Sequence, residues 1–148
     1  MIVLLDSGPL GILTNPKASP LNTECRCWVL SLQSKGYRII LPEIIDYEVR
    51  RELIRVNKLA GIKRLNEFKV TLEYLPLNTA MMLQAAEFWA QARQRGIPTA
   101  DPKALDGDVI LAAQATLVET EGDAVVVATT NVGHLSQFVN AREWREIS

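Results

Sequence analysis

Short apolar runs alternate with longer amphipathic stretches along the whole chain. The runs are rich in β-branched residues, which is typical of strands that are buried on both faces of a parallel sheet. The longer stretches place their apolar residues at helical spacing. This pattern predicts an α/β sandwich around a mostly parallel sheet, with one domain spanning residues 1–148. The predicted strands are residues 2–5, 37–41, 70–75 and 124–128, with a short edge strand at 144–147.

Capping residues place the helices between these strands. Asn22 or Thr23 caps the second helix, Asn78 caps a long one, and Asp106 caps a buried helix that runs to about Glu119. Because the last of these is apolar on most of its faces, we expect it to be buried in the core. The other predicted helices are residues 10–13, 43–56, 60–68, 79–95 and 134–139, and residues 97–105 predict a loop.

Length and charge narrow the class of protein without naming a function. The 148 residues are 48% apolar and 22% charged, which is ordinary for one globular domain. The net charge of −1 gives no general basic field, so a nucleic-acid partner would need a local basic patch. No apolar run is long enough to span a bilayer, and the opening residues lack the features of a signal peptide, so we expect a cytoplasmic protein without a membrane partner.

Acidic and amide side chains recur where the predicted strands end. Asp6 follows the first strand, Glu48 lies on the helix after the second, and Asn131 comes soon after the strand at 124–128. Asp106 and Asp108 open a helix at the same edge, where ligands bind in open parallel sheets. Carboxylates that converge repel one another, and an oxygen-only set suits Mg²⁺ or Mn²⁺ better than Zn²⁺. Such an ion favours hydrolysis of a phosphodiester.

Each of these residues also has a purely structural interpretation. Asp6 can cap the next helix, and acids in a first helical turn are favoured by the helix dipole. Glu48 and Glu52 both lie near the apolar stripe of their helix, so helical periodicity does not choose between them. Asp46 projects to a more polar side and is predicted to be solvated. Asn131 is a common turn residue, and the single histidine, His134, is more often structural than catalytic.

Four short motifs resemble those of the PIN domain family, and within it the VapC-like toxin ribonucleases. Residues 4–10, Leu-Leu-Asp-Ser-Gly-Pro-Leu, are similar to its first acidic motif. Residues 48–53 are similar to its glutamate helix, which selects Glu48 over Glu52. Residues 108–115 are similar to its aspartate helix, with Leu111 for isoleucine. Residues 129–135 are similar to the motif Thr-x-Asp/Asn followed by His-Phe, with Leu135 for phenylalanine.

The resemblance covers nearly the whole chain and carries implications for fold and activity. It implies a parallel sheet of about five strands, metal-dependent cleavage of single-stranded RNA, frequent homodimers and often a small antitoxin partner. Asp6, Glu48 and Asp108 would hold the metal, Asn131 would complete the shell, and Ser7 and Thr129 would support it by hydrogen bonds. The fourth position is Asn131 and not an aspartate, which weakens a second metal site; Asp106 is an additional acid that could compensate.

Basic residues concentrate between the second and third predicted strands. Such a run is usually a solvated face, but it is also the best candidate for phosphate contacts, because affinity for nucleic acid is largely electrostatic. We take Arg50, Arg51 and Arg55 as the candidate RNA-binding residues; the same stretch carries Lys58, Lys63, Arg64 and Lys69.

Two other functions compete with a PIN-type ribonuclease. One is a non-catalytic PIN-like module for RNA binding or protein interaction, in which the acids only cap helices. The other is a phosphatase-like α/β enzyme with Asp6 as the nucleophile. The second lacks the usual aspartate two residues further on, because position 8 is glycine.

Overall fold

A computed structural model of the protein describes residues 1–96, 102–119 and 122–148. Its centre is a five-stranded sheet in which every neighbouring pair is parallel. The strand order is β3-β2-β1-β4-β5, which confirms the predicted α/β sandwich. The strands are β1 Ile2–Leu5, β2 Arg38–Pro42, β3 Glu73–Leu75, β4 Val125–Thr129 and β5 Ala141–Glu143.

Helices connect the strands and cover the sheet. They are α1 Ser7–Thr14, α2 Pro20–Ser34, α3 Glu43–Arg55, α4 Leu59–Thr71, α5 Thr79–Gln94 and α6 Pro102–Glu119, with short 3₁₀ turns at Leu135–Gln137 and Trp144–Glu146. The central strands β1 and β4 are buried at every position, as their continuous apolar sequence predicts. A smaller apolar cluster joins α5 to α6 around Ala85, Leu105 and Ala113. In the described ranges no helix is both long enough and apolar enough to span a membrane.

Two predicted strands are wrong at the sheet edges. The last strand is Ala141–Glu143 and not 144–147, because Trp144 leaves the sheet and is buried in the core. There its ring meets Trp28 edge-on at 5.4 Å between centroids, and the Trp28 indole N–H donates to the carbonyl of Ile147 at 2.8 Å. The third strand is only three residues long, because α4 continues to Thr71.

Two helices start further upstream than predicted, and one start agrees with its predicted cap. Asn78 caps α5 as predicted, by accepting from the Met81 N–H at 2.9 Å. The second helix instead starts at Pro20, with Ser19 as its cap, and Asn22 is buried. Helix α6 starts at Pro102, so Asp106 lies inside the helix and is not its cap. Of the predicted 97–105 loop, residues 102–105 are helical and the rest lies outside the described residues.

A buried glutamine ties α6 to the start of α3 and to the end of β3. Helix α3 begins after Pro42, whose side chain makes no cap hydrogen bond. Gln114 is fully buried, and its Oε1 accepts from the Ile44 N–H at 3.4 Å while its Nε2 donates to the Leu75 carbonyl at 2.9 Å. One side chain therefore satisfies a free N–H at the start of α3 and a carbonyl at the end of β3.

Replacement of Gln114 by leucine should destabilise the protein by about 2 kcal/mol, because two backbone groups would lose their partner away from water. The measurement is the free energy of unfolding in denaturant. Gln33→Leu, at an exposed position on α2, is the matched control and should change it little. Equal stabilities for the two variants would contradict this role for Gln114.

Candidate active site

The register between β1 and β4 brings Asp6 next to Thr129. Leu5 pairs with Ala128, so the following residues of the two strands meet at the carboxyl edge of the sheet. The Thr129 hydroxyl donates to Asp6 Oδ2 at 2.7 Å, and the Ser7 N–H donates to Oδ1 at 2.7 Å. Asp6 is thus the N-cap of α1. Both oxygens of its carboxylate are held in place, so the capping interpretation and the site interpretation describe the same geometry.

Glu48 approaches α6 at a glycine. It lies on α3, which follows β2, and its side chain lies against the backbone at Gly107. A methyl group added at Gly107 would overlap Glu48 Oε1. The glycine therefore leaves room for the Glu48 carboxylate against α6, one residue before Asp108.

One cavity collects most of the predicted site residues. It has a volume of about 290 Å³ and opens at the carboxyl edge of the sheet. All three expected metal-binding carboxylates line it, together with the amide and hydroxyl side chains expected to support them. The lining consists of Asp6, Ser7, Glu48, Arg51, Asp108, Thr129, Thr130, Asn131, His134 and Leu135.

Burial disfavours the ionisation of all three carboxyl groups in this cavity, and the charge of Asp6 adds to the effect on the other two. Burial, then the charge of Asp6, raise the pKa of Glu48 to about 7; Arg51 opposes this rise and Asp108 adds to it. Burial and the charge of Asp6 also raise the pKa of Asp108 to about 6, with His134 opposing. Burial raises the pKa of Asp6 as well, against the hydrogen bonds from Thr129 and Ser7. The cavity therefore favours an added positive charge.

The side chains of the cavity have the chemistry that a hard cation needs, but they are not yet arranged around one point. Carboxylate, amide and hydroxyl oxygens are the ligands that Mg²⁺ and Mn²⁺ prefer. Within residues 1–96, 102–119 and 122–148, however, no three acidic, histidine or cysteine side chains already stand close enough to hold a metal ion. The acids share one cavity, and their side chains would have to draw together around an ion.

Solved structures with the same architecture identify the fold. VapBC2 from Rickettsia felis, bound to a DNA fragment from their promoter, matches with a TM-score of 0.73 and 16% identity over 97% of this chain and 99% of that chain. VapBC-1 from nontypeable Haemophilus influenzae matches with a TM-score of 0.69 and 16% identity, over 98% and 99%. FitAcB from Neisseria gonorrhoeae matches with a TM-score of 0.64 and 20% identity, also over 98% and 99%. The chain has a PIN-domain fold.

The PIN-domain, VapC-like resemblance of the sequence is thereby confirmed at the level of fold. No protein-family model matches the sequence, and no curated protein sequence matches it significantly. At 16% to 20% identity the structural likeness concerns the fold alone. The function therefore has to be argued from the residues of the cavity.

Asp106 does not join the other acids of the PIN fold. Residues two apart on a helix point in nearly opposite directions, so Asp106 faces away when Asp108 faces the cavity. Asp106 is exposed and lines a separate surface depression with Met82, Trp89 and Val109. The prediction that it could compensate for Asn131 in a metal site is wrong.

The three candidate RNA-binding arginines lie in different surroundings. Arg51 lines the acidic cavity. Arg50 instead holds Asp46 with two hydrogen bonds of 2.9 and 3.0 Å, and Arg55 pairs with Glu52 on the surface. Asp46 is consequently buried, so the prediction that it is solvated is wrong.

Sequence reasoning missed or undervalued two of the lining residues, His134 and Thr130. His134 was interpreted as structural, yet it lies in the cavity and its charge acts on Asp108. Thr130 has no role in the sequence analysis, although it stands inside the Thr-Thr-Asn segment that begins at the last residue of β4.

The structure also bears on the phosphatase-like alternative, because a methyl group added at Gly8 would overlap the Thr130 side chain. The close approach at position 8 leaves no room for the second aspartate that phosphatase-like chemistry would need.

The raised pKa of Glu48 predicts a pH-dependent stability. The pKa of Glu48 rises from its ordinary value of 4.5 to about 7 in the folded protein. The protonated carboxyl group therefore contributes its full stability below pH 4.5, and this contribution is lost as the pH rises through about 7. Glu48→Gln removes the charge and should stabilise the metal-free protein above that pH by on the order of 1 kcal/mol, since the group is partly exposed and screened.

The measurement is the free energy of unfolding against pH in the presence of a chelator. Glu52→Gln is the matched control, because Glu52 is exposed and its pKa is lowered by a hydrogen bond from Arg55. The free energy of unfolding of the Glu52→Gln protein should not exceed that of the wild type at high pH. A Glu48→Gln protein whose pH profile matches that of the wild type would show that Glu48 is not destabilised by its surroundings.

Proposed function

We propose that the protein is a metal-dependent endoribonuclease that cleaves single-stranded RNA. The observation that carries this proposal is the meeting of Asp6, Glu48 and Asp108 in one cavity at the carboxyl edge of the sheet. Burial, and then the charge of Asp6, raise the pKa of Glu48 and of Asp108, so their ionised forms are costly unless a cation compensates them. Mg²⁺ or Mn²⁺ is the cation that an all-oxygen set suits.

Each residue of the cavity has a distinct proposed role. Asp6, Glu48 and Asp108 would bind the metal, and the Asn131 amide would complete the shell. A metal ion held there would act as a Lewis acid on the phosphodiester and lower the pKa of a water molecule.

Residues beside the metal-binding acids would support the reaction. The Thr129 hydroxyl and the Ser7 N–H keep Asp6 in a single orientation. Arg51, at the rim of the same cavity, would attract the phosphate of the substrate.

We further propose that this ribonuclease is the toxin of a VapBC-type toxin–antitoxin pair. The support is the match of nearly the entire chain to VapBC structures at TM-scores up to 0.73. A small antitoxin protein would be its partner, and the toxin would act in the cytoplasm as a homodimer. A small reading frame next to this gene would favour the pair, whereas a solitary gene would favour a free-standing nuclease.

A non-catalytic PIN-like module is the second candidate. It is favoured by the side-chain arrangement, because in the described ranges no three potential ligands stand ready around one point. The two functions differ in what a divalent ion does to the protein, since an ion that binds only the folded state raises its stability.

Mn²⁺ should therefore raise the melting temperature of the wild type in a concentration-dependent way if the acids bind a metal. The measurement is the melting temperature in a thermal-shift experiment, in calcium-free buffer with increasing Mn²⁺ or Mg²⁺. Asp108→Asn should lose most of this protection, because it removes one charge from the set. Identical melting temperatures with and without metal would favour the non-catalytic module.

Cleavage should depend on Asp108 and not on Asp106, although the two lie on the same helix. Asp108→Asn should lower the rate by roughly a hundredfold or more, the scale expected when one preorganised group is removed. Asp106→Asn is the matched control, since it removes the same charge from the opposite side of α6. The readout is cleavage of single-stranded RNA with Mg²⁺ or Mn²⁺; comparable losses in both variants would contradict the proposed site.

A further inference from the structure

A second surface cleft adjoins the acidic cavity at Arg51. It lies between the outward side of α3 and the end of α4, with a volume of about 330 Å³. Arg51 lines both this cleft and the acidic cavity, so the two adjoin at this side chain. We call it the Tyr47 cleft; its lining is Glu43, Asp46, Tyr47, Arg50, Arg51, Ile54, Lys69 and Tyr74.

Aromatic rings and cations are paired in the Tyr47 cleft. The Arg51 guanidinium carbon lies 4.9 Å from the centroid of the Tyr47 ring, and Lys69 Nζ lies 4.7 Å from the centroid of Tyr74. Tyr47 is 55% exposed, so much of its ring remains accessible. Rings that stack bases, combined with cations that follow the backbone, are the features by which proteins bind single-stranded nucleic acid.

The two acids of the cleft are already engaged. Asp46 accepts two hydrogen bonds from Arg50, at 2.9 and 3.0 Å. Glu43 accepts from the Leu77 N–H at 2.7 Å. The acids thus have their own partners, while Arg51 and Lys69 lie over aromatic rings at the surface. The lining carries three cations, Arg50, Arg51 and Lys69, against two carboxylates, and this net charge of +1 suits an anionic chain.

A groove on the other side of Glu48 offers a contrast. It also adjoins the acidic cavity, through Ser7 and Glu48, and has a volume of about 370 Å³. Its remaining walls include small and aliphatic residues such as Gly11, Val49 and Leu53, and no aromatic residue lines it. Compared with this groove, the Tyr47 cleft has the lining that suits nucleotides, because it carries two aromatic rings beside cations.

We propose that the Tyr47 cleft binds the nucleotides of single-stranded RNA that flank the scissile phosphate. A base would stack on Tyr47, and Arg51 and Lys69 would contact the phosphates on the path out of the cavity. The inference rests on the proposed ribonuclease function, because it assigns the substrate of the same site. Stacking and phosphate contacts carry little sequence information, so the cleft would add affinity and orientation.

The test separates binding from cleavage by using Asp108→Asn as a background that does not consume the RNA. In that background, Tyr47→Ala should weaken binding of a short single-stranded RNA about tenfold, because one stacking platform is lost. Tyr47→Phe should retain the affinity. Lys69→Gln should lower the slope of log affinity against log salt by about 0.7, the share of one phosphate contact.

The matched control is the surface pair of Trp89 and Arg93 on α5. This pair has the same chemistry, with Arg93 Cζ 5.3 Å from the ring centroid and Trp89 41% exposed, but it lies away from the cavity. Trp89→Ala should leave RNA affinity unchanged. A double-stranded RNA of the same sequence should be insensitive to Tyr47→Ala, because its bases are already stacked inside the duplex.

The outcomes distinguish this inference from the proposed function. Tyr47→Ala binding that equals Trp89→Ala binding would overturn the inference, whether or not the wild type cleaves RNA, and would leave the cleft to a protein partner. A wild type that cleaves no RNA with Mg²⁺ or Mn²⁺ would overturn the proposed function, while the binding comparison would still judge the cleft. In an active wild type, Tyr47→Ala should raise KM about tenfold and leave kcat nearly unchanged.

Discussion

The hydrogen bond from Thr129 to Asp6 is the contact on which the rest of the site depends. It exists because β1 and β4 are neighbours in a parallel sheet and their register aligns Leu5 with Ala128. A parallel sheet sends the ends of all its strands to one edge, so polar residues there are gathered although they are far apart in sequence. Glu48 and Asp108 reach the same place from the helices that follow, and the charge of Asp6 then acts on both.

Much of the fold could be predicted from the sequence, because the central strands are continuous apolar runs, which is the pattern of strands buried on both faces. Ile2–Leu5 is apolar throughout and was located to the residue. The edge strands of the sheet are harder to predict. Trp144 resembles a strand residue because it is apolar, but it is buried in the core beside Trp28. Helix starts were displaced where two capping residues compete, and the choice of Ser19 over Asn22 reflects the turn on which Asn22 is buried.

The candidate site was less predictable than the fold, because one helical position decides each side chain's direction. Periodicity alone did not choose between Glu48 and Glu52, and the motif resemblance did. The sequence predicts Asp106 at the start of its helix, but the helix begins a turn earlier and the side chain lines a separate depression. Asp46 was expected in water because its helix face is polar, but a bidentate partner from the same helix allows its burial. Such pairings are tertiary facts that local patterns do not contain.

The glycine that admits Glu48 to α6 has a consequence for the adaptability of this protein. Glycine in the interior of a helix is less favourable than alanine by about 1 kcal/mol, so α6 gives up helix stability at Gly107. The usual engineering exchange of a helical glycine for alanine would recover that stability and displace the acid beside Asp108. At this position thermal robustness and the arrangement of the site are opposed, and selection for one would act against the other.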